Sequence, residues 1–187
     1  PRDLLAVRGS EKISGLFRYD VQVELSEPPP DISFVMGSPA TLTLRDATGN
    51  ARTVFGIVGE ITARSFDADT FRAEIVVRPK VYRQLFGRDC YALQDVDTVG
   101  VIKDVLADYP GKVRYDLTRA YPTYPYRVQY REDDWTYICR LAEEEGIYLW
   151  FDHEDDDSAL VFADTSQAAP AIEGVPLLPF AEPSSMR

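Results

Sequence analysis

The sequence predicts an α+β protein made mainly of strands, with a small antiparallel β-barrel over residues 1–95 and an α+β module over residues 96–187. Three observations carry that prediction. Apolar and polar residues alternate at period two through the first half. Glycines interrupt strand-like runs at points where a sheet must bend. Near Thr98 the apolar spacing changes to that of a helix.

The alternation is clearest at Phe17, Tyr19, Val21, Val23 and Leu25, with Arg18, Asp20, Gln22, Glu24 and Ser26 on the other face. A strand with one wet face belongs to an antiparallel sheet covered on one side. Pro28, Pro29 and Pro30 stop it, because proline donates no ladder hydrogen bond. A single helical turn capped by Asp31 is expected next, then a strand over Ala40-Thr41-Leu42-Thr43-Leu44-Arg45 and a turn at Asp46-Ala47-Thr48-Gly49-Asn50. A long hairpin follows. Phe55, Ile57, Ile61 and Ala63 are expected on one face of its first arm, and Phe71, Ala73, Ile75 and Val77 on one face of its second, around a turn near Asp67-Ala68-Asp69. Gly56 and Gly59, inside the first arm, mark a bulge or a bend. Such amphipathic strands with bending glycines favour a barrel or sandwich over a flat open sheet. Val81 to Gly87 is a short helix with a glycine stop.

A soft boundary lies near residues 90–98. Thr98 is expected to cap a helix with Val101, Ile102, Val105, Leu106 and Tyr109 inward, ended by Pro110-Gly111. A Tyr/Pro loop over residues 121–126 leads into a strand at Tyr126-Arg127-Val128-Gln129-Tyr130. Asp133 or Asp134 opens a second helix with Trp135, Ile138, Leu141 and Ala142 inward and Gly146 as its left-handed cap. Glu143-Glu144-Glu145 lies in the last turn, the unfavourable end of the helix dipole for carboxylates. Ile147 to Phe151 and Ala159 to Ala163 form a closing hairpin around Glu154-Asp155-Asp156-Asp157, and an irregular, proline-bearing tail follows.

Composition narrows the functions. The chain has 187 residues, 45% hydrophobic and 27% charged, an ordinary globular balance. Twenty Lys+Arg against 31 Asp+Glu give a net charge of −11, a field that repels polyphosphate and argues against nucleic acid as a partner. No apolar run reaches the roughly 20 residues of a membrane helix, so no membrane anchor is expected. The start Pro1-Arg2-Asp3-Leu4-Leu5 lacks the zones of a secretory signal. Cys90 and Cys139 are expected as buried free thiols, too few for a disulfide framework or a zinc site.

No residue is assigned a catalytic, cofactor-binding or metal-ligating role. His153, beside Glu154 and Asp155 to Asp157, would be the candidate general base or metal ligand. The run lacks the glycine of a calcium loop and a second nitrogen or sulfur ligand for zinc, so a solvated hairpin turn is expected. No Gly-x-Ser-x-Gly elbow and no phosphate-cradling glycine motif occurs. Two carboxylates acting on a glycosidic bond stay open as an alternative, because such partners meet only in space. Arg114, Arg119, Arg127 and Arg131 stand among tyrosines in a stretch that fits either a contact surface or rings packed over a sheet.

One segment is far more specific. The phrase Tyr126-Arg127-Val128-Gln129-Tyr130-Arg131-Glu132-Asp133-Asp134-Trp135-Thr136-Tyr137-Ile138-Cys139-Arg140-Leu141-Ala142-Glu143-Glu144-Glu145-Gly146-Ile147-Tyr148 resembles the signature of the VgrG family, spike proteins of the bacterial type VI secretion system. Gly9 to Phe17 resembles the family's opening strand pair, Thr53 to Ile61 its central hairpin, and Pro176-Leu177-Leu178-Pro179-Phe180 a phrase beyond the helix. The resemblance implies Ser in many relatives at the position of Cys139.

The resemblance implies a fold similar to the tail hub of contractile bacteriophages and a structural role. Three copies would form the base of a spike, adapting a hexameric tube to a trimeric needle. Implied partners are further copies of the chain, the tube protein and baseplate components, with needle-tip protein and effectors held by regions farther along the family's chains. No catalytic residue and no cofactor is carried over. The resemblance implies a fragment of a longer chain, assembled in the bacterial cytoplasm and then injected by the secretion apparatus. A phage or phage-derived tail hub is the alternative within the same class; a wall hydrolase is the alternative from another class.

Overall fold

The structure, a computed structural model, describes residues 3–27, 34–45, 49–65, 71–154 and 157–168. The turn capped by Asp31, the turns at Asp46-Ala47-Thr48 and Asp67-Ala68-Asp69, the pair Asp155-Asp156 and the tail with Pro176 to Phe180 lie outside the described residues.

Strands β1 (Asp3–Ser10), β2 (Arg18–Leu25), β3 (Pro39–Arg45), β4 (Ala51–Ser65) and β5 (Phe71–Arg78) form one antiparallel sheet in the order β1-β2-β5-β4-β3. It curls into a half-barrel, the expected barrel in open form, with β1 and β3 as its edges among the described residues. The β2 alternation holds. Phe17, Tyr19, Val21 and Val23 are buried and pack with Leu42, Val54, Ala73 and Val77, while Gln22 is exposed and Arg18 and Glu24 half-exposed. Each fully buried side chain of this size is worth about 1.5–3 kcal/mol, so this cluster fixes the register.

The face expected for β4 fails at Gly59. The pairing shifts register between Val58 and Glu60, so Val58 lies opposite Val77, and Ile61 and Ala63 lie opposite Ile75 and Ala73. Val54 and Val58 therefore share the inner face with Ile61 and Ala63. Phe55, half-buried, and Ile57, buried, point the other way. Gly56 allows a close approach: a Cβ there would stand 2.5 Å from the Arg78 carbonyl oxygen. In β5, Ala73 and Val77 are buried and Phe71 and Ile75 half-buried on the expected face, but Val76 on the other face is buried as well.

A 3₁₀ helix at Lys80–Leu85 connects the half-barrel to β6 (Asp89–Asp97), α1 (Thr98–Val105), β7 (Lys112–Asp116), β8 (Thr123–Glu132), α2 (Asp134–Glu144), β9 (Tyr148–Asp152) and β10 (Ala159–Ala163). Strand β6 crosses the boundary region and pairs antiparallel with β8 in a two-stranded ribbon. Strand β7, not anticipated, pairs parallel with β10, which pairs antiparallel with β9. Residues 123–126, read as loop, are strand.

Helix α1 is capped by Asp97 rather than Thr98: Gly100 N–H donates to Asp97 Oδ1 at 2.6 Å, and Thr98 is the first helical residue and fully buried. Asp133 caps α2, accepting from Thr136 N–H at 2.8 Å. Trp135, Ile138 and Ala142 enter a core with Ile102, Leu106, Leu149, Leu160 and Phe162. Tyr137 and Leu141 enter a second cluster with Val101, under Tyr91 and Leu93 of the ribbon. The helix is thus buried on two sides, which is why Tyr137 adds to the expected stripe. Gly146, at φ 66°, ends it: Gly146 N–H donates to the Glu143 carbonyl and Ile147 N–H to the Ala142 carbonyl, a Schellman closure.

Candidate functional site

The Arg/Tyr stretch divides by strand phase, so each of its two readings describes part of it. Arg127 and Gln129 of β8 turn inward and Tyr126, Val128 and Tyr130 outward, while Tyr124, of the outward phase, is half-buried over the Arg127 guanidinium. The inward arginine resolves the acidic last turn of α2. Arg127, only 11% exposed, pairs with Glu144 at 2.5 Å and Glu145 at 3.6 Å, and its guanidinium lies 3.5 Å from the Tyr124 ring centroid. The Tyr124 hydroxyl donates to Glu145 at 2.8 Å, and Arg119 Nη2 donates to the Glu145 carbonyl at 2.7 Å. Two guanidinium groups at a helix C-terminus outweigh the unfavourable placement of the carboxylates.

Asp164, just after β10, was not anticipated. Its side chain is fully shielded and accepts from the Thr118 and Arg119 backbone N–H groups, the Thr118 hydroxyl at 2.9 Å and the Tyr121 hydroxyl at 2.9 Å. Burial alone would raise its pKa; these donors overcome that and hold the carboxyl well below its usual range. Burial and the bond to Asp164 push the Tyr121 phenol up to about 12. This is a structural clamp from the β7–β8 loop to the end of β10. Nothing local in the sequence distinguishes it.

His153 does not lie in a solvated turn. Its ring sits 5.3 Å from Phe17 and 6.5 Å from Phe55, and its Nδ1 accepts from Phe55 N–H at 3.2 Å. Burial holds its pKa below the ordinary imidazole value. Asp157 pairs with Lys80 at 2.7 Å. Cys90, expected buried, is exposed, because the β6 phase turns it outward, opposite Tyr130. Cys139 is half-buried, and burial pushes its thiol up to about 12, away from nucleophilic character. Among the described residues, no three His, Cys, Asp or Glu side chains gather so as to hold a metal ion. A groove of about 370 Å³ lies between Glu11, Lys12, Arg52, Phe17, Trp150 and Phe151; Arg52 is bound there to Glu11 at 2.6 Å.

The outer ribbon face carries exposed apolar side chains. Tyr126 and Tyr130 are each 66% exposed and Val128 is 41% exposed, opposite Gln94, Cys90 and Ala92. Three neighbouring rungs thus present two exposed rings and a valine side by side.

A curled half-barrel, a two-stranded ribbon backed by α2 and a three-stranded sheet make up the described fold. The chain belongs to the phage tail baseplate hub (GPD) family, whose model matches residues 10–187. It is 31% identical over 180 residues to the type VI secretion system spike protein VgrG1b of Pseudomonas aeruginosa, covering 94% of this chain and 24% of that one. It is 30% identical over 182 residues to VgrG1c of the same organism, covering 97% of this chain and 25% of that one. The chain therefore spans about a quarter of the length of these curated relatives. Its fold matches the E. coli c3393 protein, a type VI secretion component with structural similarity to the T4 tail proteins gp27 and gp5. That match has TM-score 0.81 and 25% identity, and covers 89% of this chain and 47% of that one. A Francisella PdpA–VgrG complex shares the fold at TM-score 0.64 and 11% identity, over 85% of this chain and 27% of that one. Among the described residues, no helix is long and apolar enough to cross a membrane.

Proposed function

We propose that this chain is the hub module of a type VI secretion spike, a structural part that works by contact and not by catalysis. The observation that carries the reading is the 31% identity to a spike protein along 94% of the chain, joined to a TM-score of 0.81 with a secretion component. Three copies, each continued by the rest of a longer chain, form the base of the spike. The tube protein and baseplate components bind the hub, and needle-tip protein and effectors attach beyond it. The assembly forms in the bacterial cytoplasm and leaves through the secretion apparatus. The exposed Tyr126, Val128 and Tyr130 stripe supports a role by contact. The two-part division near residue 95 follows the change of sequence period, with the half-barrel as one part and the helix-bearing module as the other.

The second reading, a contractile-phage tail hub, is favoured by the description of the matching family as a phage tail baseplate hub. In-frame deletion of residues 10–168 from the parent gene tests both. The spike reading expects tube subunit to vanish from the culture medium, with recovery on complementation. Unchanged tube release together with loss of infective phage particles would favour the phage reading instead.

A further inference from the structure

We propose that His153 is a proton-operated latch between the half-barrel and the β9–β10 hairpin, closed by the neutral imidazole and opened by its protonation. His153 follows β9 directly, yet its Nδ1 is the acceptor for a backbone donor of β4, Phe55 N–H at 3.2 Å. An acceptor Nδ1 places the ring proton on Nε2, which is shielded from solvent and has no partner among the described residues. A second proton converts Nδ1 into a donor, and two donors then face each other across 3.2 Å. The bond becomes a repulsion, with the Phe55 amide left without its acceptor.

The surroundings set where this happens. Phe17 of the strand approach and Phe55 of β4 line the ring and oppose a charge on it. Arg52 of β4 opposes it as well, whereas Glu11 of the β1–β2 loop and Asp152 of β9 favour it. Glu11 is itself bound by Arg52 at 2.6 Å and by the Tyr19 hydroxyl of β2, so its carboxylate is engaged away from the imidazole. The balance, led by burial, favours the neutral ring, so the latch is shut at neutral pH and opens in acid, below the ordinary imidazole range of about 6.5. Other links across this junction among the described residues are not titratable in that range: the edge-on Phe17–Phe151 pair at 5.2 Å, Ser14 N–H donating to the Leu149 carbonyl at 2.7 Å and Leu149 N–H donating to the Ser14 hydroxyl oxygen at 3.4 Å. Acid therefore loosens one link and leaves the others.

Amide hydrogen exchange of the full 187-residue chain by NMR, from pH 7.5 to 4.5 and corrected for intrinsic rates, tests the latch. Phe55 protection should fall about tenfold in step with the His153 ring titration, while Ile138 in α2 keeps its protection. His153→Gln, whose side-chain oxygen accepts at every pH, should hold Phe55 protection flat through the same range. Phe55 protection that ignores the His153 titration would overturn the proposal. So would a loss shared equally by Ile138, or a fall of the same size and midpoint in His153→Gln.

Discussion

The Tyr121 hydroxyl donates to Asp164 at 2.9 Å, joining the β7–β8 loop to the end of β10 through a carboxylate fully shielded from solvent. The same carboxylate also takes the Thr118 and Arg119 backbone N–H groups, so one side chain satisfies the start of the loop that leads into β8.

That clamp makes stability depend on acid. The folded-state pKa of Asp164 is depressed, so its contribution is complete above the ordinary carboxylate range and drains away as pH falls below about 4. Thermal melts should show a midpoint decline below pH 4 that is weaker in Asp164→Asn. At pH 7 that variant should melt on the order of 5–10 °C lower, having lost the charge that its donors face. Parallel pH curves for the two proteins would contradict this.

Helix α2 holds two clusters together, so truncation inside it should be costly. Trp135→Ala is expected to cost about 3–5 kcal/mol and Ile138→Ala about 2–5 kcal/mol in urea melts. Glu143→Gln, at an exposed position, should stay within about 0.5 kcal/mol. Glu145→Ala, which strips Tyr124 and Arg127 of an acceptor, should cost about 1–2 kcal/mol.

Gly56→Ala should destabilise by about 1–3 kcal/mol, because the new methyl meets the Arg78 carbonyl oxygen at 2.5 Å and neither strand can yield without disturbing the ladder. Equilibrium unfolding reads it directly; a neutral or stabilising result would mean that β4 and β5 are not packed as closely as described.

The isolated 187-residue chain, at net charge −11, should be mostly monomeric at micromolar concentration, and its self-association should strengthen as salt screens the repulsion. Tyr126→Ser with Tyr130→Ser should leave folding stability within about 1 kcal/mol, since both rings are 66% exposed. Sedimentation equilibrium at low and high salt gives the first result, and a tight, salt-independent dimer would contradict it.

Where pattern is local, the sequence was a sound guide. The β2 alternation and the α2 stripe place their side chains as found, because period two and period 3.6 are set by each segment's own backbone. The failures are non-local. Gly59 lets β4 slip register against β5, reversing Phe55 and Ile57 relative to Ile61 and Ala63, and glycine alone does not say which way a bulge falls. Strand β7 is only Lys-Val-Arg-Tyr-Asp, and its partner β10 lies far along the chain. His153 stands beside an acidic run, so its neighbours suggest water, yet its environment is supplied by Phe17 and the Phe55 amide. Asp164 has no local signature either, since all of its donors come from residues 118–121. The helix within 126–148 was legible because its cap, buried stripe and glycine stop lie in one continuous run, whereas the family assignment of that run came from resemblance.

Cryo-electron microscopy of the full-length protein that carries this sequence tests the hub assignment most directly. The expected result is three copies of this module around one axis at the wide base of a needle, each with the half-barrel and the ribbon seen here. A monomer, or a closed two-fold pair with no needle above it, would contradict the account.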